Sequence, residues 1–282
     1  THTAAFDGER FAGRSTHLSF SRSARVWSFD LRYADATPTY RADNGFQSRN
    51  DFRRANASTA VSFYPDNGID RITASVGGGA LWNFGGARKE LRVGPGLSMA
   101  LPRQTYVNIN GFMSRERFRD IEFEGIRRLS IHVSTSPVAA VSFGVSAGAG
   151  RSIARNLAAP ALGSSRDLTV WGSFKPVPRL VIEPSWNWTR LDELDGDNIF
   201  AGYVLRARSS YQFTHELFAR VVTPYNDFSK RFDVEPLLMY RINPFSIFYL
   251  GSTHGFIETE DPARVIGTDR QIFLKVQYLF RV

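Results

Sequence analysis

The chain has 282 residues, 43% hydrophobic and 22% charged, and carries a formal charge of +8 from 35 Lys and Arg against 27 Asp and Glu. Those proportions exclude a disordered chain, and the absence of cysteine excludes a disulfide framework. The basic residues are mostly Arg and are spread along the chain rather than clustered, which argues against a nucleic-acid partner.

From the first strand-like segment at 11–21 onward, apolar residues recur at every second position. Trp27, Phe29, Leu31 and Tyr33 face one way, with Ser28, Asp30 and Arg32 opposite. Ile72, Ala74, Val76, Ala80, Trp82 and Phe84 make a one-sided strand, and Leu91, Val93, Leu97, Met99 and Leu101 make the next, with Arg92 on the other side. Val107, Ile109 and Met113 alternate with Asn108 and Asn110; Leu129, Ile131 and Val133 lead to Ala139, Val141, Phe143 and Val145. Leu168, Val170 and Phe174 precede Leu180, Ile182, Trp186 and Trp188, which leave Glu183 opposite. Tyr203, Leu205, Ala207 and Tyr211 oppose Arg206 and Arg208, and Phe232, Val234, Leu238 and Tyr240 oppose Asp233, Glu235 and Arg241. The terminal RQIFLKVQYLFRV (270–282) sets Ile272, Leu274, Val276, Tyr278 and Phe280 against Phe273, Lys275, Gln277 and Arg281. Helical spacing is sustained nowhere. The segment 129–150, the longest without a formal charge, alternates Ser and His with apolar residues and contains Pro137, so it reads as two strands rather than a spanning helix.

Such strands need an apolar surface on one side and tolerate water on the other, as in a sandwich core or a lipid bilayer around a wet barrel. The connections decide between them. Segments 23–25, 64–70, 102–104, 135–138, 176–179, 213–216 and 243–245 are short and rich in turn residues. Between them lie longer polar segments at 34–50, 85–90, 114–125, 151–166, 190–198, 223–231 and 254–269. Short periplasmic turns alternating with long extracellular loops are the pattern of outer-membrane barrels. The expectation is therefore an all-β, antiparallel transmembrane β-barrel of about 14–16 strands, roughly ten residues each, forming a single domain over 1–282 in the bacterial outer membrane. An odd count of fifteen asks for a strand before the first, either from 1–9 or from a longer barrel upstream; the second is preferred.

On this reading Trp27, Tyr33, Trp82, Phe84, Trp186, Trp188, Tyr211, Tyr240, Tyr278 and Phe280 form aromatic girdles at the membrane interfaces. Arg32, Arg92, Glu183, Arg206, Arg208, Asp233, Glu235, Arg241, Lys275 and Arg281 point into the lumen, because Arg or Lys on the lipid face costs about 2–4 kcal/mol at the midplane. Such a lumen is either a wet passage or a salt-bridge network filling a narrow barrel; both readings stay open. Val276, Tyr278 and Phe280 are the expected C-terminal insertion signal. The implied partners are outer-membrane lipid and lipopolysaccharide, the barrel-assembly machinery during insertion, and companion proteins of a larger complex.

No enzyme activity or cofactor is expected. GVSAG (144–148) matches the G-x-S-x-G pattern of hydrolases, but that motif needs a strand-to-helix turn, and Ser146 lies in an alternating strand facing inward. His132 lies on the neighbouring strand, where a lipid-facing pair would be needed for phospholipid hydrolysis. The five His lack metal spacing. The acidic segments 192–197 and 258–261 read as solvated loops rather than calcium sites, and the glycines at 77–79 read as a sheet kink or close-packing site.

Two stretches carry a family resemblance. YRADNGFQSRNDFRR (40–54) resembles the D-x-GF-x-x-R-x-D-x-R segment of large bacterial outer-membrane proteins. These join an N-terminal carbohydrate-binding family 9-like domain to a C-terminal barrel domain of unknown function. YRINPFSIFYL (240–250) with FLKVQYLFRV (273–282) resembles that family's closing hairpin. The resemblance implies that the chain is the barrel portion of a longer protein and carries over no catalytic residues. Arg281 and Val282 after Phe280 depart from signals that end on the aromatic itself.

Overall fold

A computed structural model describes residues 12–42, 46–47, 49–243, 245–259 and 264–278. Fifteen strands follow one another: β1 Ser15–Ser23, β2 Trp27–Ala36, β3 Phe52–Phe63, β4 Arg71–Trp82, β5 Arg88–Leu101, β6 Thr105–Phe118, β7 Ile121–Val138 and β8 Val141–Ala154. Then come β9 Ala161–Val177, β10 Leu180–Glu193, β11 Asn198–Gln212, β12 Leu217–Asn226, β13 Arg231–Asn243, β14 Ser246–Thr259 and β15 Arg264–Tyr278. They form one sheet in sequence order, each strand bonded to its chain neighbours. No helix occurs among the described residues. The residues divide into two compact units: Thr1–Met99 with Ile109–Leu129 and Arg151–Ile153, and Ala100–Asn108 with Ser130–Gly150 and Ala154–Val282.

Register shows which residues share a face, since directly opposed residues point the same way. In the first unit Leu18 opposes Tyr33, and Phe20 opposes Leu31. Trp27 opposes Val61, and Val61 opposes Ala74. That face is apolar and outward; Phe20 is 64% exposed. The other face carries Ser19 against Arg32, Ser21 against Asp30, Asp30 against Ser58, and Arg54 against Leu81, which is 4% exposed. In the second unit Val222, 3% exposed, opposes Arg208 and Glu235 on the polar face. Leu250 and Leu274 oppose each other on the apolar face. Polar groups thus sit on the more enclosed side and apolar groups on the open side. A soluble sandwich would have the reverse.

The polar segments expected as long connections are mostly strand. Within 114–125 only Arg119 and Asp120 form the turn, both at positive φ (49° and 62°), the two-residue hairpin geometry that matches strand twist. Within 151–166, β8 runs to Ala154 and β9 starts at Ala161. The connection at 37–51 stays long. Strands therefore continue past the apolar band on one side: β7 faces outward with Leu129, Ile131, Val133 and Pro137, and Thr135 near its short turn at 139–140, and is polar beyond Leu129 in the other direction. The terminal strand pairs with β14 as Tyr278 to Ser246 and Ile272 to Ser252.

The apolar face should reject charge. Leu97, outward and four residues from the end of β5, sits near mid-band. Leu97→Arg is expected to lower folding stability in lipid vesicles by about 2–4 kcal/mol. Ser98→Arg, one residue on and facing the other way, is expected to cost much less in the same denaturant titration.

Candidate functional site

The polar face of the sheet is the candidate site, and its charges follow the two-residue period that builds it. Asp30 and Arg32 stand two apart on β2 and pair at 2.8 Å; Glu90 and Arg92 on β5 pair at 3.6 Å; Arg231 and Asp233 on β13 pair at 2.7 Å. Cross-strand, Glu183 and Arg208 are directly opposed and meet at 3.5 Å, and Arg231 reaches Asp269 at 2.9 Å. These side chains stay wet: Arg32 is 61% and Arg92 44% exposed. Pairs so exposed orient one another and add little stability.

In the first unit, Asp30, Arg32, Asn56, Ser58 and Arg92 surround a hollow of about 500 Å³. Arg92 Nη2 donates to Asn56 Oδ1 at 2.9 Å. The floor is backbone at Gly77, Gly78 and Gly94. A Cβ on Gly78 would lie 2.9 Å from the Arg92 carbonyl oxygen, so these glycines permit close strand approach; of the two expectations for 77–79, close packing is the one seen.

In the second unit, register aligns Arg206 with Ser185, Arg208 with Glu183, Arg220 with Ser210, and Arg241 with Ile247 on the polar face. Lys275 opposes Tyr249 and lies 5.7 Å from its ring centre. Every expected lumen-facing residue among the described ones has polar-face parity in its strand; Arg281 lies outside the described residues. Arg220, Arg231 and Asp269 belong to the same face and were missed; Arg220 lies between the apolar Ala219 and Val221 and was open to reading, whereas Asp269 lies between Thr268 and Arg270, where no apolar neighbour marks the face.

The expected girdle residues fall less uniformly. Trp188 opposes Tyr203, Tyr203 stacks near Tyr225 (5.7 Å between ring centres), Tyr225 opposes Phe232, and Phe232 opposes Phe256. This makes one aromatic row across β10–β14, in which Tyr203, Tyr225, Phe232 and Phe256 were not anticipated. Tyr240 opposes Leu217 and Phe248, and Tyr278 opposes Ser246, in a second row with Tyr211. Phe232 and Tyr240 are eight residues apart on one strand, which at about 3.4 Å per residue and about 45° tilt separates the rows by roughly 19 Å. Trp186 lies between the rows. Trp27 donates its indole N–H to Thr59 Oγ1 at 2.8 Å, and Tyr33 and Trp82 share its outward parity. Phe84 is a correction: β4 ends at Trp82, and Phe84 sits in the following turn beneath the Arg53 guanidinium, its amide donating to Asp51. Of the insertion signal, Val276 and Tyr278 lie outward on β15, and Phe280 falls outside the described residues.

His132 Nδ1 and Ser146 Oγ are 2.6 Å apart. The contact uses Nδ1, and no carboxylate bonds the ring among the described residues, so nothing orients the imidazole as a base. The acidic segment 192–197, which begins within the end of β10, has its own partners: Asp192 accepts from Arg190 at 2.8 Å and from Asn198 at 3.0 Å. No metal-binding group of His and carboxylates occurs among the described residues. In the connections, the Thr214 hydroxyl donates to Glu216 and helps hold that carboxyl below its usual range, while Asp227 holds Lys230 above its own.

No protein-family model matches the sequence, and no curated protein matches it. Solved structures are similar. The siderophore receptor PirA from Pseudomonas aeruginosa superposes with a TM-score of 0.52 at 11% identity over 94% of this chain; the chain spans 56% of that receptor's length. An anion-selective porin from Comamonas acidovorans gives a TM-score of 0.39 at 8% identity, over 93% of this chain and 98% of the porin. OmpT from Vibrio cholerae gives 0.39 at 10%, over 94% and 96%. The chain has the fold of an outer-membrane β-barrel, and with its apolar face turned outward its setting is the bacterial outer membrane.

Purified protein is expected to hydrolyse no phospholipid, and Ser146→Ala to leave that baseline unchanged in a fatty-acid release assay. Release by the parent chain that is lost in the variant would overturn the structural reading of the pair.

Proposed function

We propose that this chain is the membrane-embedded wall of a passage for hydrophilic solutes, working as the membrane part of an uptake or secretion assembly. The observation that supports it most is the polar face itself. Its charged side chains stand partly exposed and pair two apart along single strands or directly across from one another, rather than packing into an apolar plug. Arg206 is exposed and Arg208 and Arg220 are half-buried on the polar face, with Glu183 facing Arg208. The excess of guanidiniums in this cluster would bias the path toward anions, since net charge of one sign concentrates the opposite ion.

The resemblance of 40–54 and 240–250 to barrels joined to carbohydrate-binding family 9-like domains supports reading 1–282 as one barrel domain of a longer protein. On that reading a glycan-binding domain would present material to the passage, companion proteins would complete the assembly, and the barrel-assembly machinery would insert the chain through its last strand. The sequence of the full-length gene product tests that arrangement directly.

In planar bilayers the purified chain is expected to show stable, voltage-tolerant ion current. Arg206→Glu combined with Arg208→Glu should shift the reversal potential under a salt gradient toward cation preference. A chain that inserts, as judged by protease protection, yet carries no current would instead be a plugged anchor for the glycan-binding domain or a partner protein.

A further inference from the structure

The outward face of the first unit carries a second hollow, of about 370 Å³, where β5, β6 and β7 run side by side. Its floor is apolar, made by Leu91, Val93 and Met113, and its rim carries Arg115 and Arg127. The hollow is built around a bulge. Phe123 and Ile126 are both buried although they stand three apart, which strict alternation forbids, and Gly125 between them has φ +77°. Beyond the bulge Arg127 takes the same parity as the outward Leu129 and Ile131.

Height fixes what this hollow meets. On β7 the outward positions from the short turn after Val138 are Pro137, Thr135, Val133, Ile131 and Leu129, apolar but for Thr135 near the turn, and Arg127 is the next outward position. On β6 the outward run ends at Met113, ten residues of strand placing Arg115 above Thr105. At about 3.4 Å per residue and about 45° tilt both guanidiniums stand roughly 24–26 Å from the short-turn rim, the upper edge of an apolar band about 25 Å tall. Short turns are periplasmic, so this edge meets the outer leaflet. Glu124 draws Arg115 into an ion pair at 3.2 Å, and the Glu122 carboxylate is engaged by Arg88 at 3.3 Å. The Arg127 guanidinium has no ion-pair or hydrogen-bond partner among the described residues.

We propose that this hollow is a lipopolysaccharide site: an acyl chain lies on Leu91, Val93 and Met113, and a phosphate of the glucosamine head is held by Arg127, with Arg115 assisting. Apolar floor below and planar cation above is the arrangement an amphipathic phosphate needs, because a guanidinium grips phosphate oxygens in two parallel hydrogen bonds. Since Glu124 already holds part of the charge of Arg115, Arg127 carries the larger share. The site is on the face opposite the polar wall, so it stands or falls independently of the passage.

The test is binding of diphosphoryl lipid A to the purified full chain in detergent, followed by native mass spectrometry, beside its dephosphorylated form and phosphatidylglycerol. Removing the phosphates is expected to weaken binding about tenfold, Arg127→Gln to do the same, and Arg115→Gln to weaken it about threefold. Arg25→Gln, in the turn at the opposite rim, should change nothing. Heat-modifiable gel mobility verifies that each variant is folded, and the phosphate comparison on the parent chain needs no variant. Equal binding with and without phosphates, phosphatidylglycerol binding as well as lipid A, or an unchanged folded Arg127→Gln would each overturn the proposal.

Discussion

A backbone amide in hydrocarbon has no water to bond, so each N–H and C=O in the band must find its partner within the sheet. The continuous ladder from β1 to β15 meets that demand, and the side-chain pattern follows from it. Once the backbone is extended and paired, side chains can only alternate. The bilayer then selects apolar residues for one parity and leaves the other to solvent. Leu31 and Arg32, adjacent in sequence, sit in opposite media for this reason alone.

The same two-residue period explains why ion pairs form within strands. Residues i and i+2 share a face at a spacing a guanidinium spans without strain, so Asp30–Arg32, Glu90–Arg92 and Arg231–Asp233 pair without any help from tertiary packing. Direct cross-strand opposition, as at Glu183 and Arg208, depends instead on register. A wall assembled from such local pairs keeps mixed charge in fixed places while leaving its surface wet. That combination is what supports the proposed path for solute.

What the sequence disclosed and what it hid divide along the edge of the lipid band. Inside the band alternation is enforced by the medium, and the faces of Trp27–Tyr33 or Leu205–Arg208 were legible residue by residue. Outside it a strand has water on both sides, so no parity is apolar and the period fades. Ser114, Glu116 and Arg117 through Glu124 therefore read as a loop, although they form a hairpin turning on Arg119 and Asp120. Phe84 was misplaced for a related reason: its parity continues that of Trp82, but β4 stops there and parity loses meaning once the chain turns. The aromatic rows through Tyr225 and Phe256 depend on cross-strand register, which one strand's sequence does not contain.

Glycine marks the places where these rules are locally suspended. On the polar face of the first unit, a Cβ at Gly77 would come within 3.3 Å of the Ser58 Cβ, and one at Gly79 would lie 2.8 Å from the Ala55 carbonyl oxygen. Larger residues there would fill the hollow beside Asp30 and Arg92 or push the strands apart. On the apolar face Gly125 does the opposite work: by inserting a bulge it lets Phe123 and Ile126 both turn inward, and so returns Arg127 to the outward parity at the height where hydrocarbon gives way to head groups. Without that one-residue shift the strict period would place Arg127 on the polar wall and Ile126 outside. A single left-handed residue thus decides which medium a guanidinium meets.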